Sequence, residues 1–176
     1  MPAKLNHTIV AARDKRKSAL FLSEILGLDP PQLLGPFALV TVGEDLTLDF
    51  IETGGEITSQ HYAFLVNESE FDEIFARLKA RYLDYWADPG HKKPGEINRW
   101  DDGRGVYFDD PDGHSLEILT RSYGSAGTSA DFPHPLVSET IEADSGRDVA
   151  ENEKTKTGGG GLCYREGPGG GQPIGS

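Results

Sequence analysis

The chain has 176 residues, a formal net charge of −12 and one cysteine, Cys163. This length suits one domain or two small modules, and a single cysteine excludes a framework of disulfide bonds. The acidic charge argues against a nucleic-acid-binding groove, and no apolar run approaches the length of a membrane span. A cytoplasmic protein with no nucleic-acid or membrane partner is therefore expected.

The first half of the chain is predicted to form a strand, a helix and three further strands. The segment HTIVAA begins at His7 and is rich in β-branched residues, which favours a strand. A helix is predicted over about 15–26, ending at Gly27, a residue type common just after a helix. Strands are then predicted near 31–35, over FALVTV and over LTLDFIE, the last of which contains Asp49.

The second half repeats this order of elements. The segment HYAFLV begins at His61 and predicts a strand. The helix that follows is predicted to begin after Ser69 as N-cap, with Asp72 as its reciprocal partner. A strand is predicted near 82–86, and two more over GVYF and HSLEILT, which contains Glu117. Asp-Pro-Asp-Gly lies between the last two strands and is strong turn chemistry.

Composition changes after residue 121. Of the 22 glycines, 12 lie beyond that point, in runs that include GGGG and GPGGG, and apolar periodicity is almost absent. Residues 122–176 are therefore predicted to be a flexible, glycine-rich acidic tail. The folded domain is predicted over 1–121, with modules at about 5–53 and 59–121.

The two predicted modules place similar chemistry at equivalent positions. His7 aligns with His61, and Asp49 in LDFI aligns with Glu117 in LEIL. A carboxylate among apolar residues is costly unless it has a partner, and a cation shared with the histidines would supply one. Imidazole and carboxylate are ligands for zinc, iron, manganese, cobalt or nickel. If the modules pair about a pseudo-twofold axis, all four side chains would converge. A surface or core histidine is the alternative for each histidine taken alone.

These segments resemble the vicinal oxygen chelate superfamily, which includes glyoxalases, extradiol dioxygenases, fosfomycin-resistance thiol transferases and bleomycin-resistance proteins. The matching pieces are LNHTIVAARD, HYAFLV with FDEIFARL, and GVYFDDPDGHSLEI, and together they cover nearly all of 5–121. The resemblance implies an α+β fold, in which paired βαβββ modules form a cup-shaped, partly closed mixed sheet with helices outside. The tail has no counterpart in this family.

The resemblance also implies a site. A divalent metal ion is expected at His7, His61 and Glu117, with open positions for a small, oxygen-rich substrate that chelates the metal. A homodimer is expected, and in such a dimer the two modules that line one cup can come from the same chain or from different chains.

Several activities stay open within the family. The first is a metal-dependent glyoxalase-like or dioxygenase-like enzyme, a lyase, isomerase or thiol transferase acting on a small oxygen-rich molecule. The second is an iron(II) ring-cleaving oxygenase of the extradiol type, which uses the same two-histidine, one-carboxylate set. The third is an antibiotic-binding or metabolite-binding resistance protein without catalysis. The sequence fixes neither the substrate nor the metal.

Four further residues are candidates for catalysis or substrate binding. Asp49 is a possible fourth ligand or general base, with a water-facing strand residue as the alternative. Tyr107 matches a substrate-contacting tyrosine of the fosfomycin enzymes and is expected to donate a hydrogen bond in the cup. The long loop 87–104 suits a lid or a substrate-selecting segment. In it, Asn98 and Arg104 are candidate substrate-binding residues, and a solvated arginine is the alternative for Arg104.

Overall fold

The computed structural model describes residues 3–126 and 130–136. The first half contains β1 (His7–Ala12), α1 (Lys15–Leu26), β2 (Gln32–Leu34), β3 (Phe37–Val42) and β4 (Leu46–Glu52). The second half contains β5 (His61–Leu65), α2 (Glu68–Ala80), a 3₁₀ turn (Trp100–Asp102), β6 (Gly105–Asp109) and β7 (Ser115–Leu119). None of the helices in this part of the chain is long and apolar enough to cross a membrane.

The strands form two mixed sheets, one in each half. The first sheet has the order β1-β4-β3-β2 and the second has the order β5-β7-β6. In each sheet the opening strand lies parallel to the last strand of its half, β1 on β4 and β5 on β7. Neither sheet closes into a barrel, so the α+β class with two repeated, open modules is confirmed.

The second half is the less complete copy. The strand predicted near 82–86 is absent there, and Trp86 instead makes isolated bridges to Pro94 and Tyr107. Trp86 pairs with β6 at one residue only, and the loop that follows returns along the other edge of this segment. The amide of Trp86 donates to the carbonyl of Tyr107, and the amide of Gly95 donates to the carbonyl of Tyr85.

Helix α1 has the bounds that the sequence predicts. The side chain of Asp14 accepts hydrogen bonds from the amides of Arg16 and Lys17, which satisfies two of the free donors in the first turn. Gly27 follows the last turn with φ 74°, in the left-handed region that glycine adopts without a steric penalty.

Helix α2 begins earlier than predicted. Its N-cap is Asn67, not Ser69, and its reciprocal partner is Glu70, not Asp72. The Asn67 side chain accepts from the amide of Glu70 at 2.9 Å, and the Glu70 carboxylate accepts from the amide of Asn67 at 2.8 Å. The helix therefore has a complete capping box, two residues before the predicted position.

One apolar core joins the two halves. Residues of β1, β3, β4, β6 and β7 are buried in it, among them Val10, Phe50 and Ile118, and α2 adds Phe71 and Leu78. The opposite face of each sheet points away from this core.

The turn between β6 and β7 also contacts the first half. Asp112 accepts from the amide of Arg13 at 2.9 Å and from the hydroxyl of Ser18 at 2.5 Å. The buried His114 ring contacts the carbonyl of Ala11 through Nε2 at 2.8 Å. These contacts hold the start of β7 against the junction of β1 and α1.

Candidate metal centre

The second sheet carries half of the expected ligand set on its face away from the core. His61 lies opposite Ser115 on β7, and Glu117 follows two residues later, so both side chains share one face. Tyr107 on β6 lies directly opposite Glu117 and shares that face too. The His61 Nε2 and Glu117 Oε2 atoms are 3.2 Å apart. We call this surface the ligand face of the second sheet.

The donor atoms of His61 and Glu117 fit a shared cation. Two ligand atoms bound at usual distances to one tetrahedral or octahedral ion lie about 3.0–3.5 Å apart. The observed 3.2 Å separation falls within that range. One imidazole nitrogen and one carboxylate oxygen are also the donors that zinc and iron(II) accept. The two side chains could therefore hold a metal ion without rearranging relative to each other.

Glu117 is buried and well partnered. Only 1 % of its side chain is exposed, although it sits on a strand with apolar neighbours. Its Oε2 atom accepts a short hydrogen bond from the hydroxyl of Tyr123, and that hydroxyl lies 2.9 Å from the hydroxyl of Tyr107. Three polar side chains thus compensate the desolvation of this carboxylate.

The electrostatics of the cluster follow from these contacts. The hydrogen bond to Glu117 raises the pKa of His61 above its usual value, and partial burial opposes this. Burial raises the pKa of Tyr107 and of Tyr123, and the neighbouring Glu117 charge adds to both shifts. Both phenols therefore stay protonated near neutral pH and act as hydrogen-bond donors.

The first sheet carries the matching half-set on its own face away from the core. His7 lies opposite Thr47 on β4, and Asp49 follows two residues later, the same register as His61, Ser115 and Glu117. His7 is exposed and its Nδ1 contacts the side chain of Asn6 at 2.9 Å. Asp49 is partly exposed and accepts from the hydroxyl of Thr47 at 2.7 Å. The predicted alignment of the two halves is therefore present in the strand registers.

One chain does not bring the whole set together. Among residues 3–126 and 130–136, no three His, Cys, Asp or Glu side chains are grouped closely enough to hold a metal ion. His61 and Glu117 meet, whereas His7 and Asp49 lie on the other sheet. The prediction that all four converge is not met within a single chain, because the two sheets of one chain join through their helices and core faces.

A cavity of about 610 Å³ lies over the ligand face of the second sheet. His61 and Tyr107 form part of its wall, and Trp100, Tyr123 and His134 form another part. Five of the eleven lining residues carry aromatic rings, and the imidazole of His61 stacks on the ring of Tyr107 at 5.8 Å. The cavity is large enough for a small organic molecule beside the candidate metal ligands.

Asn98 and Arg104 have structural partners. The amide nitrogen of Asn98 donates to the carbonyl of Ala87 at 3.0 Å, which holds the loop together. The guanidinium of Arg104 contacts Glu68 and Asp72, both at 2.6 Å. The residues that line the cavity include neither of them. Substrate binding by Asn98 and Arg104 thus has no support from this geometry.

Tyr123 and His134 were not among the sequence candidates. Both lie beyond residue 121, where the sequence predicts a flexible tail, yet the described part of that region packs on the domain as far as Leu136. No motif marks them, since their role depends on contacts with residues far away in the chain. Cys163 and the rest of the predicted tail lie outside the described residues.

The family comparison covers the domain that holds this site. The model of the glyoxalase/bleomycin resistance protein/dioxygenase superfamily matches residues 4–118. A glutathione transferase FosA from Serratia marcescens is 32% identical over 124 residues, which are 67% of this chain and 81% of the relative.

Two solved structures are more similar still. The structure named oxidase ChaP-H1 has 61% sequence identity and a TM-score of 0.69, and the match covers 70% of this chain and 100% of that one. The structure named oxidase ChaP-H2 has 57% identity and a TM-score of 0.70, and the match covers 72% and 100% of the two chains. The repeated modules, the half-set of ligands on each sheet and these matches show that the chain belongs to the glyoxalase/bleomycin resistance protein/dioxygenase superfamily.

Proposed function

We propose that this protein is a divalent-metal-dependent enzyme that oxidises a small, oxygen-rich substrate with dioxygen as the oxidant. The observation that carries the proposal is the His61–Glu117 pair, whose donor atoms are spaced at 3.2 Å as two ligands of one ion. The oxidative chemistry is supported by 57–61% identity to two proteins named oxidases. Iron(II) suits this reaction, because two histidines and one carboxylate with open positions are typical of iron(II) oxygenases.

In this proposal each side chain that lines the site has a specific role. His61, which lines the cavity, and the adjacent Glu117 would hold the metal ion, and when bound that ion would supply a Lewis acid for the substrate oxygens. Tyr107 is protonated and lines the same cavity; to donate to a substrate oxygen, its hydroxyl would exchange its contact with the Tyr123 hydroxyl for one with the substrate. The aromatic wall formed by Trp100 and His134 limits the water around the substrate.

The third ligand comes from a second copy of the chain in this proposal. His7 is exposed on the first sheet, and the same face carries Asp49 together with the exposed apolar residues Ile9 and Leu34. Exposed apolar residues around a half-set of ligands favour an interface, since burying them is favourable. A homodimer in which the first sheet of one chain covers the second sheet of the other would complete two sites. Asp49 would then lie at the cavity as a fourth ligand or a base.

Metal analysis of the protein purified without chelator tests the metal site. The wild-type protein is expected to bind a divalent metal ion, and His61→Ala and Glu117→Ala are each expected to weaken that binding at least about tenfold. His91→Ala and Glu73→Ala are matched controls, because neither residue lines the cavity. A wild-type protein that cannot be loaded with zinc, iron, manganese, cobalt or nickel would refute the proposal.

Oxygen consumption tests the reaction. After anaerobic loading with iron(II), we expect oxygen uptake with members of a panel of catechols and related hydroxylated aromatic compounds. The Glu117→Ala protein serves as the blank. If the iron-loaded protein consumes no oxygen across the panel, oxidation is the wrong chemistry even where metal binding holds.

Thiol transfer is the second candidate, supported by the 32% identity to a glutathione transferase. It predicts that the metal-loaded protein joins glutathione to an epoxide such as fosfomycin and consumes no oxygen. Loss of free thiol, measured with and without a chelator, separates this activity from the first. If ligand binding instead survives complete removal of the metal, a binding protein without catalysis is indicated.

A further inference from the structure

The carboxylate of Glu117 is held by a residue outside the part of the chain that the family model covers. The model ends at residue 118, and Tyr123 follows five positions later. The Tyr123 hydroxyl donates to Glu117 Oε2, the same atom that lies 3.2 Å from His61 Nε2. One carboxylate oxygen is thus fixed between an imidazole and a phenol.

Two consecutive aspartates fix the backbone around Tyr123. Asp101 accepts from the amide of Gly124 at 2.8 Å, and its own amide donates to the carbonyl of Phe132 at 2.7 Å. Asp102 accepts from the amides of Asp131 and Phe132 at 3.3 and 3.1 Å. Both aspartates have positive φ, 54° and 58°, in the left-handed region that aspartate adopts more often than most residues. Gly124, Asp131 and Phe132 are therefore hydrogen-bonded to the loop that precedes β6.

Ring contacts fix the side chain as well. The Tyr123 ring lies 4.1 Å from the His134 ring, and the His134 ring lies 4.7 Å from Trp100 in an edge-on arrangement. Tyr107 closes the cluster through its hydroxyl, 2.9 Å from that of Tyr123. These contacts place the Tyr123 hydroxyl between the carboxylate of Glu117 and the hydroxyl of Tyr107.

We propose that Tyr123 is a positioning residue that orients Glu117 for metal binding. The inference rests on the proposed metal site, and it adds a group from the segment that follows the family domain. A ligating carboxylate can rotate, and a hydrogen bond from a fixed donor restricts it to one orientation and tunes its donor strength. Simple packing would need only the ring of Tyr123. The hydroxyl, directed at the ligand oxygen, is the part that positioning requires.

The test compares Tyr123→Phe with the wild-type protein, using cobalt(II) as a probe. The variant keeps the ring and removes the hydroxyl. We expect the cobalt dissociation constant to rise about tenfold or more, as is usual when an outer partner of a ligand is lost. We also expect the visible absorption bands of bound cobalt to shift, because the carboxylate donor changes. The matched control is Tyr82→Phe, a residue that is 94% exposed.

The outcomes separate this inference from the function proposed above. If the wild-type protein binds no cobalt, both fail together. If the wild-type protein binds cobalt and Tyr123→Phe binds it with the same affinity and spectrum, the positioning role alone is refuted. A lower melting temperature with an unchanged cobalt spectrum would show that Tyr123 only packs.

A second measurement covers the case in which Tyr123→Phe does not fold. Fluorotyrosine is introduced at position 123 in otherwise wild-type protein, and its ¹⁹F resonance is followed during zinc loading. We expect a shift that saturates at the stoichiometry of the site, while the same probe at position 82 stays unchanged. Absence of any shift at position 123, with zinc bound, would overturn the proposal.

Discussion

Glu117 illustrates how a strand tolerates a charge in its interior. Its neighbours Leu116 and Ile118 point into the core, so the alternation of the strand turns Glu117 to the opposite face. That face is nevertheless covered, and an isolated ionised carboxylate there would be strongly unfavourable. His61 and Tyr123 supply the compensating contacts. The composition of this site therefore depends on residues from three separate parts of the chain.

Gly105 has no side chain, which allows the loop that contains Asn98 and Trp100 to lie close to β6. Its backbone forms a bridge with Asn98, donating at 3.1 Å and accepting at 2.8 Å. A Cβ atom at position 105 would lie 2.6 Å from Asn98 Oδ1. The Asn98 side chain cannot move away easily, because its amide nitrogen holds the carbonyl of Ala87. Close approach of the loop to β6 thus requires glycine here.

We expect Gly105→Ala to destabilise the protein by about 1–3 kcal/mol, the usual result of forcing extra volume into a packed site. The displaced loop carries Trp100, so substrate binding should weaken as well. Urea unfolding and ligand titration measure the two effects. Gly54→Ala is the control, since a Cβ atom there would meet nothing within 4 Å. Equal stability of the two variants would contradict this account.

Arg104 marks a limit of sequence-based prediction at the scale of single residues. Its charge suggested an anionic substrate group, but its partners are Glu68 and Asp72 on α2 and its guanidinium lies 4.3 Å from the ring of Phe71. These partners are 36 and 32 residues away in the chain. Only the packing of α2 against the second half brings them together. The pattern of the loop alone could not distinguish a ligand-binding arginine from this ion pair.

At the scale of elements, the start of α2 offers a direct comparison between two possible caps. Both Asn67 and Ser69 precede an acidic residue by three positions. The structure uses Asn67 with Glu70, because the longer glutamate side chain can reach back to the N-cap amide. We expect Asn67→Ala to lower the free energy of unfolding by about 1 kcal/mol.

The control for that change is Ser69→Ala, which lies inside the first turn of α2. Because its side chain caps nothing in the structure, the free energy of unfolding should change by only a few tenths of a kcal/mol, about the size of ordinary surface substitutions. Chemical denaturation of both variants measures the difference. A larger effect for Ser69→Ala would favour the helix start that the sequence pattern suggested.

Most elements were predictable, and the failures have local causes. Alternation of apolar and polar residues defined β3, β4 and β7, and Gly27 defined the end of α1. The strand expected near 82–86 is reduced to a single bridge between Trp86 and Tyr107 on β6, and the loop after it bonds to Tyr85 and Ala87 along the other edge. Periodicity detects a face that is buried, but it does not detect which backbone partner is available.

At the scale of the whole molecule, the repeat is the part that sequence predicted best. His7 and Asp49 stand in the same strand register as His61 and Glu117. The sequence did not show how the two sheets are oriented relative to each other. In the structure each sheet packs its apolar face into a common core. The two ligand half-sets therefore face outward on different sheets. The folding of the single chain satisfies its core, and in the proposed homodimer a second chain would complete the site.

Heterodimers test that arrangement. We expect a purified dimer of one His7→Ala chain and one Glu117→Ala chain to retain about half of the wild-type metal, because a site formed from both chains leaves one complete set. Different affinity tags on the two chains allow the mixed species to be isolated. A dimer of His61→Ala with Glu117→Ala is the control and should bind none, since both changes affect the same half-set. Complete metal loss in the first heterodimer would mean that His7 and Glu117 of the same chain share a site, and full metal content in a His7→Ala homodimer would place His7 outside the site.

The turn from Asp110 to His114 has a consequence for how the chain unfolds. Through Asp112 and His114 it fastens the strand of Glu117 to the β1–α1 junction of the other half. Because unfolding of either repeat would break these contacts with the other, we expect the two repeats to unfold together. A substitution at Ser18 would remove the hydrogen bond to Asp112. It would thereby affect the candidate metal site through the turn that precedes the strand of Glu117.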